Sequence, residues 1–210
     1  CKYHGPFMDK NNRLRAKCPK CGELERARLA RLVIDKIYDD KKAAETDVLH
    51  ISPENSLRKF FKKRFKSYIS SDLYRKDVDH QFDIEEIPYP NKSFDLVFAS
   101  HVLEYVRNDK KAIREIQRVL RPGGLAFLPV PMLHEKTIDF EERPLNKRII
   151  RETGIDYFDR YREVFDDVEV YEPSSFDKQF NLTIDMLDNL DSHSEKSFYL
   201  LPNLLPVCKA

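Results

Sequence analysis

The sequence predicts an α/β fold, in which a mostly parallel sheet carries helices on both faces, plus a small N-terminal appendage. Short apolar stretches alternate with helical patterns between residues 47 and 130, and such alternation with short connections is typical of parallel sheets. Three of the four cysteines lie near the N-terminus, where hydrophobic periodicity is absent. With 210 residues, 41% hydrophobic and 35% charged, the chain can bury a core and is not of the disordered class.

The N-terminal part divides into an appendage and a connection. Residues 1–22 form the appendage, which needs a staple other than a hydrophobic core. Residues 23–46 connect it to the main domain. An apolar stripe predicts a helix from Glu23 to about Asp39, and a polar linker follows at 40–46. The main domain then spans 47–210.

Five strands and two helices are predicted in the first part of the main domain. A helix with one face of leucine and phenylalanine follows the first strand, and a second helical stripe at 112–120 ends at Arg121-Pro122-Gly123-Gly124. The strands are the apolar stretches at 48–52, 68–71, 78–84, 94–100 and 125–130.

The remainder of the chain has a weaker pattern. We expect helix over 142–165 with an interruption near Gly154, and a strand at 168–171. A polar stretch at 172–196 predicts a loop with a short helix around 184–190. A last strand is expected at 198–207, where Pro202 and Pro206 favour a break or an edge position.

Charge and hydropathy bound the partners. Lys and Arg number 37 and Asp and Glu 36, which gives a formal net charge of +1 and predicts neither a nucleic-acid nor a membrane partner. No apolar run has the length of a membrane span and no signal peptide is evident, so we expect a cytoplasmic protein. The sequence makes no prediction of the oligomeric state.

Polar residues follow the predicted strands at the edge where ligands bind in open α/β sheets. An acid after the second strand suits a ribose, because one carboxylate accepts hydrogen bonds from two vicinal hydroxyls. An acid after the third strand can accept from an adenine amino group while an adjacent aliphatic covers the ring. Taken singly, each residue could equally be a helix cap or a solvated acid. The polar residues in question are His50, Ser52, Glu54, Asp72, Asp83, Ser100 and His101.

A longer pattern carries a resemblance to a known family. Residues 83–131 read DIEEIPYPNKSFDLVFASHVLEYVRNDKKAIREIQRVLRPGGLAFLPVP. They resemble the later half of a class I S-adenosylmethionine-dependent methyltransferase domain of the type 11-like kind, where an acid precedes "LPFP-x-x-SFD" and a helix ends in "RVLKPGG". The resemblance implies a Rossmann-like fold, S-adenosylmethionine as cofactor and methyl transfer as activity.

The resemblance also implies positions for the cofactor. The acid after the second strand would bind the ribose, and the next residue would lie beside the adenine. The acid and aliphatic residue after the third strand would hold the adenine, and two residues after the fourth would lie near the methionine part and its methyl group. In chain order these residues are Asp72, Leu73, Asp83, Ile84, Ser100 and His101.

The turn after the first strand departs from the common family pattern, because its glycines are missing. Residues 49–54 read LHISPE and residues 18–28 read CPKCGELERAR. They resemble a subgroup with an "LHIAPE" turn and an N-terminal "CPxCGSLERHR" segment. Pro53 suits an early helical position, and the free amides of the helix start would face the cofactor's carboxylate. His50 or Glu54 would contact its ammonium group or ribose.

The appendage predicts a structural zinc site. Cys18 and Cys21 have the spacing of a zinc knuckle and need two further ligands. Cys1 is one candidate, and the other is His4 or a cysteine upstream of the chain start, since the sequence begins with Cys1 and not Met. The alternative is a pair of incidental thiols in a loop. A site with four protein ligands has no open position, so we expect no catalysis from it.

Two histidines are candidate bases for methyl transfer to a hydroxyl or an amine. His101 follows the fourth strand, and His134 follows the fifth, next to Glu135. Either histidine could instead belong to a loop or a helix cap. Arg26 and Arg28 could bind an anionic acceptor, or could lie on an exposed charged helix face.

The sequence therefore predicts a methyltransferase that acts on an unidentified acceptor, with a small molecule or a glycan or lipid precursor favoured. A non-catalytic binding or scaffold protein of the same fold is one alternative, supported by the glycine-free turn. An RNA-modifying methyltransferase is another, and the near-neutral charge counts against it.

Overall fold

The computed structural model describes residues 3, 5–10, 13–145, 148–183, 185–186 and 203–210. A hairpin of β1 (Met8–Lys10) and β2 (Arg13–Lys17) comes first, followed by α1 (Glu25–Ile37) and the short α2 (Asp40–Ala43). The predicted first helix is confirmed. The predicted linker at 40–46 is wrong in part, because it contains α2, whose Ala43 is fully buried.

The central sheet is built around β3 (Asp47–Ile51). This strand pairs in parallel with β4 (Ser67–Asp72) and β6 (Phe94–Ala99), so that Leu49 lies opposite both Ile69 and Val97. Farther out, β5 (His80–Gln81) pairs with β4 and β7 (Leu120–Phe127) pairs with β6, again in parallel. The predicted mostly parallel sheet is confirmed.

Helices cover both faces of this sheet, as predicted. On one face α1 and α3 (Asn55–Arg64) share a hydrophobic core with Val48, Leu96 and Phe98. On the other face α4 (Asp109–Val119) and α5 (Tyr157–Arg162) pack against Leu49 and Val97. Because both faces are buried, β6 reads as a nearly continuous apolar run and not as an alternating one.

The C-terminal strands extend the sheet. After the β8 (Ile138–Asp139) and β9 (Arg151–Glu152) hairpin and α5, the strand β10 (Asp167–Tyr171) forms one edge. β11 (Asp185–Met186) joins β2 in the N-terminal sheet. β12 (Leu205–Lys209) lies between β10 and β7 and is antiparallel to both. Across the described ranges, no helix is long and apolar enough to cross a bilayer.

The predicted helix over 142–165 is wrong for most of its length. Within the described part of that span, only α5 is α-helical, and Arg151–Glu152 is a strand. Arg151 is buried, where it donates to the carbonyls of Leu103 and Val106 and pairs with Asp109 and Asp139. These long-range polar contacts override the local helical preference of a charged stretch.

Two other predictions need correction. The predicted edge position of the last strand is wrong, because β12 is internal. Pro206 is tolerated there because it lies at the end of the ladder between β12 and β7. Its carbonyl accepts from Leu128, just beyond the end of β7, and the ladder stops where the proline lacks an N–H. Arg121–Gly124 ends α4 as predicted but forms an irregular register shift within β7 instead of a separate turn.

Two predicted C-terminal elements lie largely outside the described residues. Of the short helix predicted at 184–190, Asp185–Met186 form β11 and the other positions are not described. Likewise, residues 198–202 of the predicted last strand are outside the described ranges.

His50, on β3, is fully buried. Its ring lies 5.0 Å from that of Phe61 and 5.1 Å from that of Phe98, centroid to centroid. Its Nε2 is 3.2 Å from Oε2 of Glu54, and its Nδ1 is 3.1 Å from the hydroxyl of Tyr68. Since a carboxylate only accepts, Nε2 carries the proton and Tyr68 donates to Nδ1. Burial lowers the pKa of His50 below its usual 6.5, although Glu54 opposes the shift, so the imidazole is neutral at pH 7.

This burial predicts a pH dependence of folding. The unfolded chain binds a proton at His50 as the pH falls through the usual value of 6.5, while the folded chain does not, so stability is full above that value and is lost below it. In His50→Gln, which keeps a donor and an acceptor, we expect the loss of unfolding free energy between about pH 7 and pH 5 to shrink by about 1–2 kcal/mol. Urea denaturation at each pH measures it. The exposed His80→Gln is the control, and an equal slope in the wild type and His50→Gln would contradict the assignment.

Candidate functional site

The turn after β3 is closed by serine where glycine is expected. Ser52 has a φ of +50°, in the left-handed region that glycine adopts most readily. Its N–H donates to the Ser71 carbonyl at 2.7 Å, and its hydroxyl donates to Oδ2 of Asp72 at 2.8 Å. These bonds hold the backbone in a conformation that costs a side-chain-bearing residue about 1–3 kcal/mol. The turn is therefore bound directly to the end of β4.

Glu54, at the N-cap of α3, lies between the turn and β6, which neighbours β3 on the side opposite to β4. Its carboxylate accepts from Nε2–H of His50, and Ser100, which directly follows β6, lies near enough to influence its pKa. Burial would raise the pKa of Glu54, but His50 and Ser100 outweigh it and lower the pKa below its usual 4.5. Glu54 is thus a carboxylate at neutral pH. His50 has no accessible surface, so within the site it acts through Glu54.

Asp72 ends β4 as a preorganised carboxylate. Its Oδ1 accepts from the amides of Tyr74 and Arg75 at 2.8 and 3.0 Å. Burial would raise the pKa of Asp72, but these amides and the Ser52 hydroxyl lower it below its usual 3.8. Arg75 also donates to the Pro53 carbonyl at 2.7 Å, which ties the two turns together a second time. Leu73, the next residue, is 45% exposed and offers an apolar surface beside the carboxylate.

Asp83 and Ile84 belong to a separate turn after β5. Asp83 is exposed, and its Oδ1 accepts from the amide of Glu85 at 2.9 Å. Ile84 is buried in the core beneath it. The described side-chain hydrogen bonds join His50 to Glu54 and Ser52 to Asp72 on the two sides of the turn after β3, and they do not extend to this turn after β5.

The start of α3 differs from the expectation of free amides. Oε1 of Glu23, from the N-terminal segment, accepts from the amide of Ser56 at 3.1 Å. A carboxylate of the chain itself therefore caps this helix end, where negative charge is favoured. The expectation that this amide faces the cofactor's carboxylate is corrected, because it is already bonded.

Each candidate base has a carboxylate neighbour. His101 follows β6 with a φ of +53°, and its Nδ1 lies 3.6 Å from Oε1 of Glu104. His134 lies beyond the end of β7, with its Nε2 at 2.9 Å from Oε2 of Glu152. Glu135 is exposed. Glu104 and Glu152 were not predicted as site residues, although the spacing of His101 and Glu104 fits one helical turn and could have indicated the first pair.

The cysteine segment is only partly described. Cys18 is buried and Cys21 half-buried, while Cys1 and His4 lie outside the described residues. Among the residues that are described, no group of three or more His, Cys, Asp or Glu side chains is arranged to hold a metal. Arg28 donates to four backbone carbonyls and so holds the segment together. The alternative prediction, that Arg28 lies on an exposed charged face of the helix, is therefore wrong.

The residues present fit S-adenosylmethionine in their chemistry. Asp72 and Asp83 offer carboxylate oxygens for hydroxyl or amino donors, and Leu73 and Ile84 offer apolar surface for a ring. Glu54 supplies a negative charge that suits an ammonium or a sulfonium group. The sequence pattern missed the residues that orient these groups, Tyr68 and Arg75, because their contacts join separate strands.

The comparisons with known proteins agree with this chemistry. Residues 39–128 match the family described as a methyltransferase domain. The chain is 37% identical over 95 residues to 27-O-demethylrifamycin SV methyltransferase of Amycolatopsis mediterranei (strain S699), a match that covers 40% of this chain and 35% of that protein. It is 34% identical over 87 residues to malonyl-[acyl-carrier protein] O-methyltransferase of Enterobacter lignolyticus (strain SCF1), covering 38% and 35%. The chain thus spans about a third of the length of these relatives.

The fold has solved counterparts. The crystal structure of an S-adenosylmethionine-dependent methyltransferase from Mesorhizobium loti aligns with a TM-score of 0.59 at 15% identity, over 87% of this chain and 98% of that one. At this identity the likeness concerns the fold. The chain therefore has the Rossmann-like α/β fold of class I S-adenosylmethionine-dependent methyltransferases, and its residues 39–128 match the methyltransferase domain family.

Proposed function

We propose that the protein is an S-adenosylmethionine-dependent methyltransferase. The observation that carries the proposal is the hydrogen-bonded turn after β3, which presents two ionised carboxylates, Glu54 and Asp72, at the edge of the sheet where ligands bind in this fold. The match of residues 39–128 to the methyltransferase domain family supports it independently.

The residues divide the cofactor between them. Asp72 binds the ribose hydroxyls with Leu73 beside the adenine, and Asp83 and Ile84 hold the adenine. Glu54 and Ser100 face the methionine part, with Ser52 fixing the turn and His50 orienting Glu54 from below. When bound, the cofactor supplies an electrophilic methyl group on a sulfonium sulfur. The chain's own task is to position an acceptor in line with that methyl group and, for a hydroxyl or an amine, to take up its proton at His101 or His134.

The acceptor is proposed to be a small molecule or a glycan or lipid precursor. A cavity of about 450 Å³ between the N-terminal segment, α1 and α3 is of a size that holds a small organic molecule. Its wall is rich in aromatic rings, and it borders the first turn of α3. The wall includes Tyr3, Phe7, Leu57, Phe60 and Phe180.

Two other functions are compatible with the fold. A non-catalytic scaffold is favoured by the Glu23 carboxylate on the amide of Ser56, which removes one donor from the cofactor side. An RNA-modifying enzyme is disfavoured by the net charge of +1. The cytoplasm remains the predicted compartment.

A structural zinc ion is proposed for residues 1–22. Its ligands are Cys18, Cys21, Cys1 and either His4 or a cysteine upstream. The half of the site that is described supports it, because the amides of Lys20 and Cys21 hydrogen-bond to Cys18. Such bonds stabilise a metal-bound thiolate.

Cofactor binding is the first test of the proposal. Isothermal titration with S-adenosylmethionine and with its demethylated product should show micromolar binding. We expect Asp72→Ala and Asp83→Ala each to weaken it by about 10- to 100-fold, the effect of losing a charge-assisted hydrogen bond.

Asp40→Ala is the matched control, because this carboxylate is 99% exposed and distant from the strand ends in the sequence. It should bind as the wild type does. Thermal unfolding of each variant checks that the fold is retained. A well-folded wild type that binds neither ligand would refute the enzyme and favour the scaffold.

Metal content tests the appendage. Protein that includes any residues preceding Cys1 should contain about one zinc per chain by mass spectrometry, since a four-ligand site holds a single ion. Cys18→Ser with Cys21→Ser should lose it and lower the unfolding temperature. Cys208→Ala, which removes a buried thiol of the main sheet, should keep the metal. Wild type that is metal-free and equally stable after chelation would exclude the site.

A further inference from the structure

Glu104 is a buried acid with an unused oxygen. It lies in the 3-10 turn Leu103–Tyr105, and only 1% of it is exposed. Its Oε1 is 3.6 Å from Nδ1 of His101, and its Oε2 has no hydrogen-bond partner among the described residues. Taking an acid out of water without a partner is costly, so such a group in a folded protein calls for an explanation.

The surroundings direct Glu104 towards His101. The nearby cation Arg151 donates to the carbonyls of Leu103 and Val106, and its carboxylate partners are Asp109 and Asp139. His101 remains as the donor that faces Glu104. A hydrogen bond from Nδ1–H to Oε1 would give this acid a donor and leave the lone pair of Nε2 open, because a neutral imidazole has one N–H.

The backbone fixes His101 beside the proposed cofactor site. Its N–H donates to the Pro129 carbonyl at 2.9 Å, and its left-handed φ of +53° is a conformation that non-glycine residues seldom adopt away from constrained sites. The preceding residue, Ser100, is buried and lies near enough to Glu54 to lower the pKa of that carboxylate. The histidine therefore follows directly on a residue of the proposed cofactor site, and its side chain is 16% exposed.

His134 is differently engaged. Its Nε2 is the nitrogen that bonds to Glu152, and its carbonyl accepts from Ile155. It also forms a bridge with Gly154, whose close approach to the Lys136–Thr137 backbone leaves no room for a side chain. These contacts join the β8–β9 region to the end of β7 and give His134 a structural role.

We propose that Glu104 is a positioning residue that holds His101 in the Nδ1–H tautomer, so that Nε2 takes a proton from the acceptor. The inference rests on the proposed function. A bond forms between the acceptor's oxygen or nitrogen and the methyl carbon, the carbon–sulfur bond breaks with its electron pair left on sulfur, and the acceptor's proton moves to Nε2. Glu104 offsets the charge of the imidazolium. The acceptor is therefore a hydroxyl or an amine with a proton to lose.

The tautomer of His101 tests the inference without knowledge of the acceptor. Long-range proton–nitrogen NMR correlations at about pH 8, where imidazoles are neutral, should show the proton on Nδ1 in the wild type. Glu104→Leu should move it to Nε2, the tautomer favoured by an imidazole in water. Glu104→Gln keeps the shape of the side chain and should give a mixture, since an amide both donates and accepts.

Glu152→Leu is the matched control, because it removes the carboxylate beside His134 and should leave the His101 signals unchanged. The inference is overturned if His101 carries its proton on Nε2 in the wild type, or keeps it on Nδ1 in Glu104→Leu. Titration of the same samples with S-adenosylmethionine distinguishes failure of the proposed function from failure of the proposed role of Glu104. Lost binding in the wild type refutes the proposed function, whereas intact binding with the wrong tautomer refutes only the role of Glu104.

Methyl transfer provides a second readout. With labelled S-adenosylmethionine and a panel of acceptors, His101→Asn and Glu104→Leu should lower the rate by about 100-fold or more, the usual contribution of a general base, with cofactor affinity retained. A product methylated on an atom that had no proton to lose, such as a thioether sulfur, would overturn the acceptor class.

Discussion

The parallel pairing of β3 with β4 on one side and β6 on the other determines the arrangement of the site. Because the three strands end at one edge, the residues that leave them are brought close together. Ser52 reaches Asp72 after β4, and Glu54 lies near Ser100 after β6. A change in the register of either pairing by one residue would turn these side chains to the other face of the sheet. The burial of β3 on both faces opposes such a slip, since its apolar residues Val48 and Leu49 belong to the two opposite cores.

The absence of glycine from the turn after β3 has a physical explanation. A left-handed serine costs about 1–3 kcal/mol, and each hydrogen bond it makes contributes about 0.5–1.5 kcal/mol net. Ser52 makes two, to Ser71 and Asp72, and Arg75 adds one from the β4 side to Pro53. These bonds offset the strain, and at the same time they orient the Asp72 carboxylate. Glycine would remove the strain but also the hydroxyl that orients Asp72.

The sequence predicts the parts of this arrangement that depend on local pattern. Apolar runs and a helix stripe located the strands and α-helices from β3 to β7, because both faces of the sheet are buried there. The strand ends could be inferred from the same runs. The burial of His50 could not, since it depends on Phe61 and Phe98 from two other elements. The helix predicted over 142–165 was wrong for the same reason: the position of Arg151 is set by carbonyls and acids that are distant in sequence.

The N-terminal segment is joined to the candidate site more closely than a separate appendage would be. Arg28 on α1 donates to the carbonyls of Ala16 and Glu23 and to those of Phe180 and Asn181, so it clamps segments that are far apart in the chain. Burial lowers the pKa of this guanidinium, because water is excluded from its surroundings. Such a buried cation is stable only because its donors are used by carbonyls.

The side chain of Glu23, whose carbonyl Arg28 holds, caps α3 at Ser56, two residues after Glu54. Removing the segment before residue 39, where the family match begins, would therefore remove α1, uncap α3 and expose the apolar residues of α3 and the sheet that α1 covers, among them Val48, Leu57 and Phe98. The matched region and the N-terminal segment consequently depend on each other for stability, and the Glu23 carboxylate connects the Cys18–Cys21 loop to the start of α3.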